Sequence, residues 1–198
     1  MGSGRVLQGT YAGASMTSMN SFQNHVEAAF GWRPIPKDVV DSAEIPRSDS
    51  DIEEAVWFAG RNWRQVAFSD WQEHPVAVSF FSSDAFGYYL QSILILSAET
   101  ATESLEPANR ILGKLDRSPD VTGWDQGFTG HFFTLTSEEL TVMKEWLLCI
   151  SSYSAYKRRG PVRQGPGDRL GRCFDTLDLL QRRLRESAWA TAGGPGQS

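Results

Sequence analysis

The sequence predicts a mainly α-helical protein, in which a compact helical domain surrounds a buried central helix at about residues 84–99 and a C-terminal amphipathic helix follows. Three observations predict this class. The stretch FFSSDAFGYYLQSILIL, residues 80–96, is apolar almost all round a helix. Two helix starts carry a Ser or Thr cap followed by acids. Leucines recur at three- and four-residue steps near the C-terminus.

The chain of 198 residues suits one domain with an appendage better than two full domains. We expect five segments, in this order: a disordered lead at 1–18, a helical domain at 19–157, a Gly/Pro/Arg linker at 158–168, a C-terminal amphipathic helix at 169–190 and a disordered tail at 191–198.

The first helix is predicted for residues 20–32, where Phe22, Val26 and Phe30 fall on one face. Gly31 and the prolines after it end the pattern.

An acidic segment at residues 41–54 follows, with one arginine and six carboxylates: Asp41, Glu44, Asp49, Asp51, Glu53 and Glu54. Ser50 and Glu53 have the spacing of a capping box, and acids in a first turn are favoured by the helix dipole. The segment therefore predicts a loop and then a capped helix at 51–59, ended by Gly60.

The central helix is predicted from about Asp84 to Glu99, with Ser82 or Ser83 as its N-cap. We interpret Tyr88 and Tyr89 as core residues whose hydroxyls find partners, in preference to ligand contacts. Residues 76–81 and 131–135 are either extended lead-ins to helices or one short two-stranded β element, and the sequence leaves both open.

Later helices are predicted at residues 105–115 and 137–157, separated by a Gly- and Asp-rich loop at 118–130. Thr136 and Glu139 form a second capping box. The C-terminal stripe consists of Leu170, Cys173, Leu177, Leu180 and Leu184. Because it is too short to stand alone, it is expected to dock on this body, on a second copy in a homodimer, or on a partner.

The remaining composition predicts a cytoplasmic, reducing location. The N-terminal residues hold no continuous apolar block, and no apolar run approaches the roughly 18 residues of a membrane span. Cys149 and Cys173 both lie among apolar residues at helical spacing, which predicts buried reduced thiols.

Charge is unevenly distributed along the chain. The net charge is −5, but residues 1–156 carry 10 Lys and Arg against 20 Asp and Glu, whereas residues 157–198 carry 9 against 4. An acidic body does not favour nucleic acid as a partner. The basic C-terminal region is expected to lie against its own body or to meet an anionic partner.

No catalytic, cofactor or metal motif occurs in the sequence. His25, His74 and His131 lack ligand partners at metal-site spacing, and neither a nucleophile elbow nor a phosphate-binding loop is present. If the fold assembles a site from scattered residues, the first candidates are Tyr88, Tyr89, Asp125 and His131.

Several motifs resemble a group of bacterial proteins defined only as a domain of unknown function, the DUF6714 family. The resemblance covers about residues 20–155 and rests on Trp63 with Val66, Phe81 to Ala85, Tyr88-Tyr89-Leu90, Leu135-Thr136 with Glu139, and Trp146-Leu147. Gln91 stands where the family pattern usually has proline, which implies a straighter helix here. The resemblance implies no activity and transfers no functional residues.

These observations lead to two functional hypotheses. The first is a non-catalytic protein-binding module, such as an immunity or antitoxin-like protein, that binds a basic partner, for example a toxin, through its acidic surface. Its candidate residues are the six acids of 41–54, with Trp57, Trp63 and Trp71 as aromatic anchors. The alternative is an enzyme or small-ligand-binding protein with a site assembled from the scattered residues.

Overall fold

The computed structural model describes residues 12–41, 50–100, 103–152 and 169–191. Eight α-helices lie in these ranges: α1 Ala12–Phe30, α2 Ser50–Val56, α3 Phe68–Glu73, α4 Ser83–Glu99, α5 Glu106–Leu115, α6 Gln126–Phe132, α7 Ser137–Ser151 and α8 Arg169–Thr191. Three short 3₁₀ turns, at Trp63–Gln65, Ala77–Ser79 and Val121–Gly123, join some of them. The described residues contain no strand, so the mainly helical prediction is confirmed.

Helix α4 is the centre of the fold, as the sequence predicts. It packs against α1, α5, α6 and α7, and nearly all of its side chains are buried. Ser82 is its N-cap and accepts a hydrogen bond from the backbone N–H of Ala85 at 3.3 Å. Two buried tryptophans donate their indole N–H to serines of this helix, Trp71 to Ser92 and Trp146 to Ser97. These serines of α4 therefore supply the hydrogen-bond acceptors that the two buried indole N–H groups need.

A buried ion pair joins the ends of α1 and α7. The Arg33 guanidinium donates two parallel hydrogen bonds to the Glu139 carboxylate, with N–O distances of 2.5 and 2.7 Å. It also donates to the carbonyl of Thr134 at 3.0 Å. The side chains are only 6% and 0% exposed, so the pair lies in a low-dielectric interior. Glu139 also accepts from the backbone N–H of Thr136, completing the predicted capping box of α7.

Gly87 of α4 supplies the space for this pair. A Cβ atom built on Gly87 would lie 2.4 Å from a terminal nitrogen of Arg33 and 2.6 Å from its Cζ. The guanidinium therefore rests directly on the backbone of the central helix. Three separate segments meet at this point: the turn after α1, the middle of α4 and the start of α7.

The C-terminal helix docks on its own chain. Cys173, Leu177 and Leu180 of the predicted stripe are buried, and α8 packs against α5 and α7. Arg172 forms a two-point ion pair with Asp116 just after α5, at 2.5 and 3.1 Å. The centre of the apolar stripe is therefore covered within one chain, whereas Leu170 and Leu184 at its ends are partly buried.

Polar contacts fix α8 on α7. Lys144 of α7 donates to Asp178 and, at 2.6 Å, to Gln181. Gln181 in turn donates to the Ser137 carbonyl and the Thr141 hydroxyl, at 3.0 and 2.8 Å.

Several predicted boundaries differ from the structure. Helix α1 begins at Ala12, eight residues before the predicted start at residue 20. In the sequence, Ala12, Met16 and Met19 continue the apolar spacing of Phe22 toward the N-terminus, but Gly13 and the Ser and Thr residues among them weaken the helix signal. Helix α2 ends at Val56 and α7 at Ser151, before the predicted residues 59 and 157. The predicted disordered lead at 1–18 is wrong for residues 12–18, which belong to α1, and the predicted tail at 191–198 is wrong for Thr191, which ends α8. Residues 1–11, the linker at 158–168 and residues 192–198 lie outside the described residues.

Both alternatives for residues 76–81 and 131–135, the β pair and the extended lead-ins, are wrong, because these residues form helical and turn structure. Residues 77–79 form a 3₁₀ turn that buries Ala77 and Val78. The stretch expected to be loop and strand contains α6, which is capped by the side chain of Asp125. Gly127 and Gly130 lower the helix propensity of this stretch, so its sequence signal is weak.

We predict that removing one partner of the buried ion pair is strongly destabilising. Arg33→Ala leaves the Glu139 carboxylate buried without its cation, so the free energy of unfolding should fall by about 3–5 kcal/mol. The double variant Arg33→Ala/Glu139→Gln, which removes both charges and keeps an amide oxygen for Thr136, should be more stable than Arg33→Ala. Urea unfolding measures both, with Arg64→Ala in the exposed pair with Glu27 as the control, expected to cost under about 1 kcal/mol. Equal losses for Arg33→Ala and Arg64→Ala would contradict the prediction.

We further predict that the effect of Gly87→Ala changes sign with Arg33. In the native chain the added methyl group overlaps the guanidinium, and the clash should cost about 3 kcal/mol of unfolding free energy. In the Arg33→Ala/Glu139→Gln background the same change should stabilise, by up to about 1 kcal/mol, because alanine is the better helix former. Thermal and urea unfolding of the four proteins give the coupling, and additive effects would show that the two sites are independent.

Candidate functional site

The acidic segment is exposed where the structure describes it. Asp41, Asp51 and Glu53 are exposed, whereas Glu44 and Asp49 lie outside the described residues. Glu54 is half-buried and has a structural role, because its carboxylate accepts from the backbone N–H of Val76 at 2.9 Å. Asp41, Asp51 and Glu53 therefore stay candidates for partner contact, and Glu54 is tied to the fold.

The three candidate tryptophans differ in burial. Trp71 is fully buried and Trp63 is 6% exposed, so the expectation that they anchor a partner is corrected: both belong to the core. Trp57 is half-buried at the surface of α2 and its following turn. The Arg61 guanidinium stacks over its ring at 3.6 Å, and the His74 ring lies 4.5 Å away. Of the three tryptophans, Trp57 therefore stays a candidate anchor for a partner, and Arg61 and His74 hold its ring in place.

The tyrosine pair belongs to the core, as predicted. Tyr88 is 4% exposed and Tyr89 is fully buried. The Tyr89 hydroxyl donates to the carbonyl of Phe58, and the Tyr88 hydroxyl accepts from the backbone N–H of Trp63 at 3.4 Å. Burial, reinforced by Tyr88, raises the pKa of Tyr89 well above its ordinary value of 10.0. Tyr89 therefore remains protonated, and it ties α4 to the segment after α2.

His131 is buried with both ring nitrogens engaged. Its Nε2 lies 2.7 Å from the carbonyl of Phe81, and its Nδ1 lies 3.4 Å from Nζ of Lys114. The ring stacks on Phe86 with centroids 4.3 Å apart. Burial, and then the Lys114 charge, lower the pKa of His131 to about 4. At neutral pH the imidazole is uncharged, with Nε2–H donating to Phe81 and Nδ1 accepting from Lys114.

Asp125 and His131, two of the scattered candidates, each have separate partners. The Asp125 carboxylate accepts from the backbone N–H of Phe128 at 2.8 Å and forms an ion pair with Arg117 at 2.7 Å. These two contacts, led by the Phe128 N–H, lower the pKa of Asp125 below its ordinary value. Burial lowers the pKa of Lys114, which stands beside both groups. Asp125 caps α6, and His131 joins α6 to the carbonyl of Phe81, so the observed contacts of both residues are structural.

Both cysteines are free thiols. Burial raises the pKa of Cys173 to about 12 and also raises that of Cys149, which keeps both in the weakly nucleophilic thiol form. Cys173 is buried as predicted, whereas Cys149 is partly exposed.

Within the described part of the chain, no group of three or more His, Cys, Asp or Glu side chains is arranged to hold a metal ion. The described helices also include none with the length and apolar character needed to cross a bilayer.

Two surface features escaped the sequence reasoning. Val56, one turn after Glu53 on α2, is 47% exposed. A groove with a volume of about 130 Å³ lies between the end of α6 and the distal half of α8. Neither leaves a sequence signal, because Val56 looks like a core position and the groove requires that α8 dock beside α6.

Comparison with known proteins gives no relative: no protein-family model, curated protein or solved structure matches the chain.

We predict that His131 makes the stability pH-dependent. In the unfolded chain the imidazole titrates near its ordinary pKa of 6.5, and in the folded protein near 4, so between these values the unfolded state binds more protons. The free energy of unfolding should therefore have its highest value above about pH 6.5 and should fall by up to about 3 kcal/mol as the pH drops to 4.

Urea unfolding between pH 7 and 4 tests this, with His131→Gln as the comparison. The glutamine amide can still donate to Phe81 but does not titrate, so the variant should lose less stability over this window. Lys114 and Asp125, the charged groups beside the ring, are unchanged in both proteins. Parallel pH profiles would show that His131 does not contribute.

Proposed function

We propose that the protein is a non-catalytic binding module that engages a basic protein partner through the exposed surface of α2. The part of this surface formed by Glu53, Val56 and Trp57 is called the α2 face, and Asp51 adds an exposed carboxylate in the first turn of the same helix. The observation that carries the proposal is an exposed carboxylate, that of Glu53, beside exposed apolar groups on one short helix. Glu53 and Val56 are three residues apart and so lie next to each other on the helix surface. Val56 is 47% exposed, and Trp57 continues the apolar edge.

Charge and rigidity suit this face to recognition. Positions 1–156 hold 20 acidic against 10 basic residues, and this excess gives the body a negative field, which speeds encounter with a basic partner and fixes its orientation. Trp57 contacts Phe58, His74 and Arg61, so little side-chain entropy is lost when a partner covers it. A held aromatic ring next to exposed carboxylates is typical of an interface centre with a polar rim.

An immunity or antitoxin-like role in a bacterial cytoplasm is the specific form of this function that we propose. A basic toxin would be neutralised by covering its cationic surface with the α2 face. The alternative, an enzyme or small-ligand site at Tyr88, Tyr89, Asp125 and His131, has less support. The side chains of these four residues are engaged in hydrogen bonds that hold the fold.

Reversing the charge of the exposed α2 surface should abolish partner binding. The double variant Asp51→Lys/Glu53→Lys changes two exposed residues and leaves Glu54, which bonds to Val76, in place. The matched control is Glu99→Lys/Glu138→Lys, which makes the same change in net charge at two exposed acids on other helices. Full-length tagged protein is used as bait in lysate of its own cells, and the captured proteins are identified by mass spectrometry.

We expect one stoichiometric basic protein that is retained by the control and lost by the α2 variant. With the purified partner, the α2 variant should weaken the Kd at least about tenfold, and the native interaction should weaken as salt rises. Equal binding by both double variants would refute the α2 face. Equal loss in both would show that net charge alone, with no defined surface, attracts the partner.

A further inference from the structure

The groove between α6 and α8, hereafter the α6–α8 groove, is independent of the α2 face. Its lining residues are Phe132, Phe133, Leu180, Arg183, Leu184 and Ser187. Four of these six side chains are apolar, and the two polar ones both come from the distal half of α8. The groove therefore combines an apolar interior with one cationic and one hydroxyl group.

The apolar side of the α6–α8 groove is supported by the core behind it. Phe132 is fully buried and stacks on Phe128 with centroids 4.5 Å apart, and Phe86 lies 5.2 Å from it. Leu180, on the opposite side, is 2% exposed. Because these side chains are fixed by core packing, the groove is preformed, which is usual for small-molecule sites.

Arg183 places a cation at the groove. Its guanidinium lies 4.4 Å from the centroid of the Phe133 ring, a cation–π contact that positions it. Among the residues that the structure describes, no carboxylate forms an ion pair with Arg183. Arg182 and Arg185 are also exposed on this part of α8, and together with Arg183 they outnumber the one exposed acid there, Glu186, so the local charge is positive. A guanidinium of this kind matches the planar geometry of a carboxylate.

The volume limits the apolar part of a ligand. A cavity of about 150 Å³ in another protein accommodates benzene, so about 130 Å³ corresponds to one six-membered ring or a short carbon chain. We infer that the α6–α8 groove binds a small free carboxylic acid that carries a single ring or short apolar chain. The apolar group lies between Phe132, Leu180 and Leu184, and the carboxylate accepts hydrogen bonds from Arg183.

Titration of the full chain with phenylacetate, followed by two-dimensional NMR, tests this inference. Phenylacetamide, which has the same ring and no charge, is the control ligand. We expect saturable shifts at residues 132–133 and 183–187 with a Kd on the order of 1 mM or tighter, as befits about ten non-hydrogen atoms. Phenylacetamide should bind about tenfold more weakly, because it cannot form the charge-assisted hydrogen bonds.

Matched variants distinguish binding in the groove from general electrostatic attraction of an anion to a basic helix. Arg183→Gln should weaken phenylacetate binding about tenfold, whereas Arg185→Gln, an equal charge change outside the groove, should leave it unchanged. Both arginines are exposed, so neither change should disturb folding, and thermal unfolding checks this. Leu184→Phe, which fills the groove without altering charge, should also remove binding.

Three outcomes would overturn the inference. They are the absence of saturable shifts in the native protein, equal weakening by Arg183→Gln and Arg185→Gln, and undiminished binding in Leu184→Phe. N-acetylphenylalanine, which imitates the C-terminal residue of a polypeptide, distinguishes the source of the carboxylate. Tighter binding of this compound than of phenylacetate would assign the groove to a protein terminus and overturn the assignment to a free acid.

Discussion

The buried pair of Arg33 and Glu139 is the constraint on which the rest of the arrangement depends. Desolvating two charges is costly, and the cost is offset here by two-point geometry, by the Thr134 carbonyl and by the Thr136 N–H. Because each of these hydrogen bonds is directional, the pair fixes the position of the turn after α1 relative to the start of α7. Gly87 extends the constraint to α4, since any larger residue would occupy the space of the guanidinium.

Helix α7, which the ion pair positions, in turn determines where the C-terminal helix α8 docks. One side of α7 lies against α1 and α4, and the other carries Lys144, which bonds to Asp178 and Gln181 of α8. The uneven charge of the chain has a structural use here. Asp116 of the acidic body forms an ion pair with Arg172 of the basic C-terminal region. Attraction between the two oppositely charged parts of the chain therefore helps to dock α8.

The docked helix also creates the contrast between the two proposed surfaces. The arginines nearest the α8 N-terminus contact the body, and those beyond Gln181 face solvent beside an apolar groove. The α2 face has the opposite character, with carboxylates beside Val56 and Trp57. One small domain therefore presents an acidic surface suited to a basic protein and a cationic groove suited to a small anion, and these ligands would not compete.

The sequence by itself determined the helical class, the central burial of α4, the cap at Thr136, and the core role of the tyrosine pair; it left the cap of α4 open between Ser82 and Ser83, and the structure assigns it to Ser82. These features follow from apolar periodicity and from hydrogen bonds between residues three or four apart, which a linear pattern records. Tertiary structure alone decided that Arg33 meets Glu139 across 106 positions, that Trp63 and Trp71 are buried while Trp57 is not, and that α8 docks in cis. It also decided the helix at 126–132, where two glycines weaken the local signal and an anchored His131 compensates. The physical reason is that burial and ion pairing depend on which distant segments come together, and neither has a period along the chain.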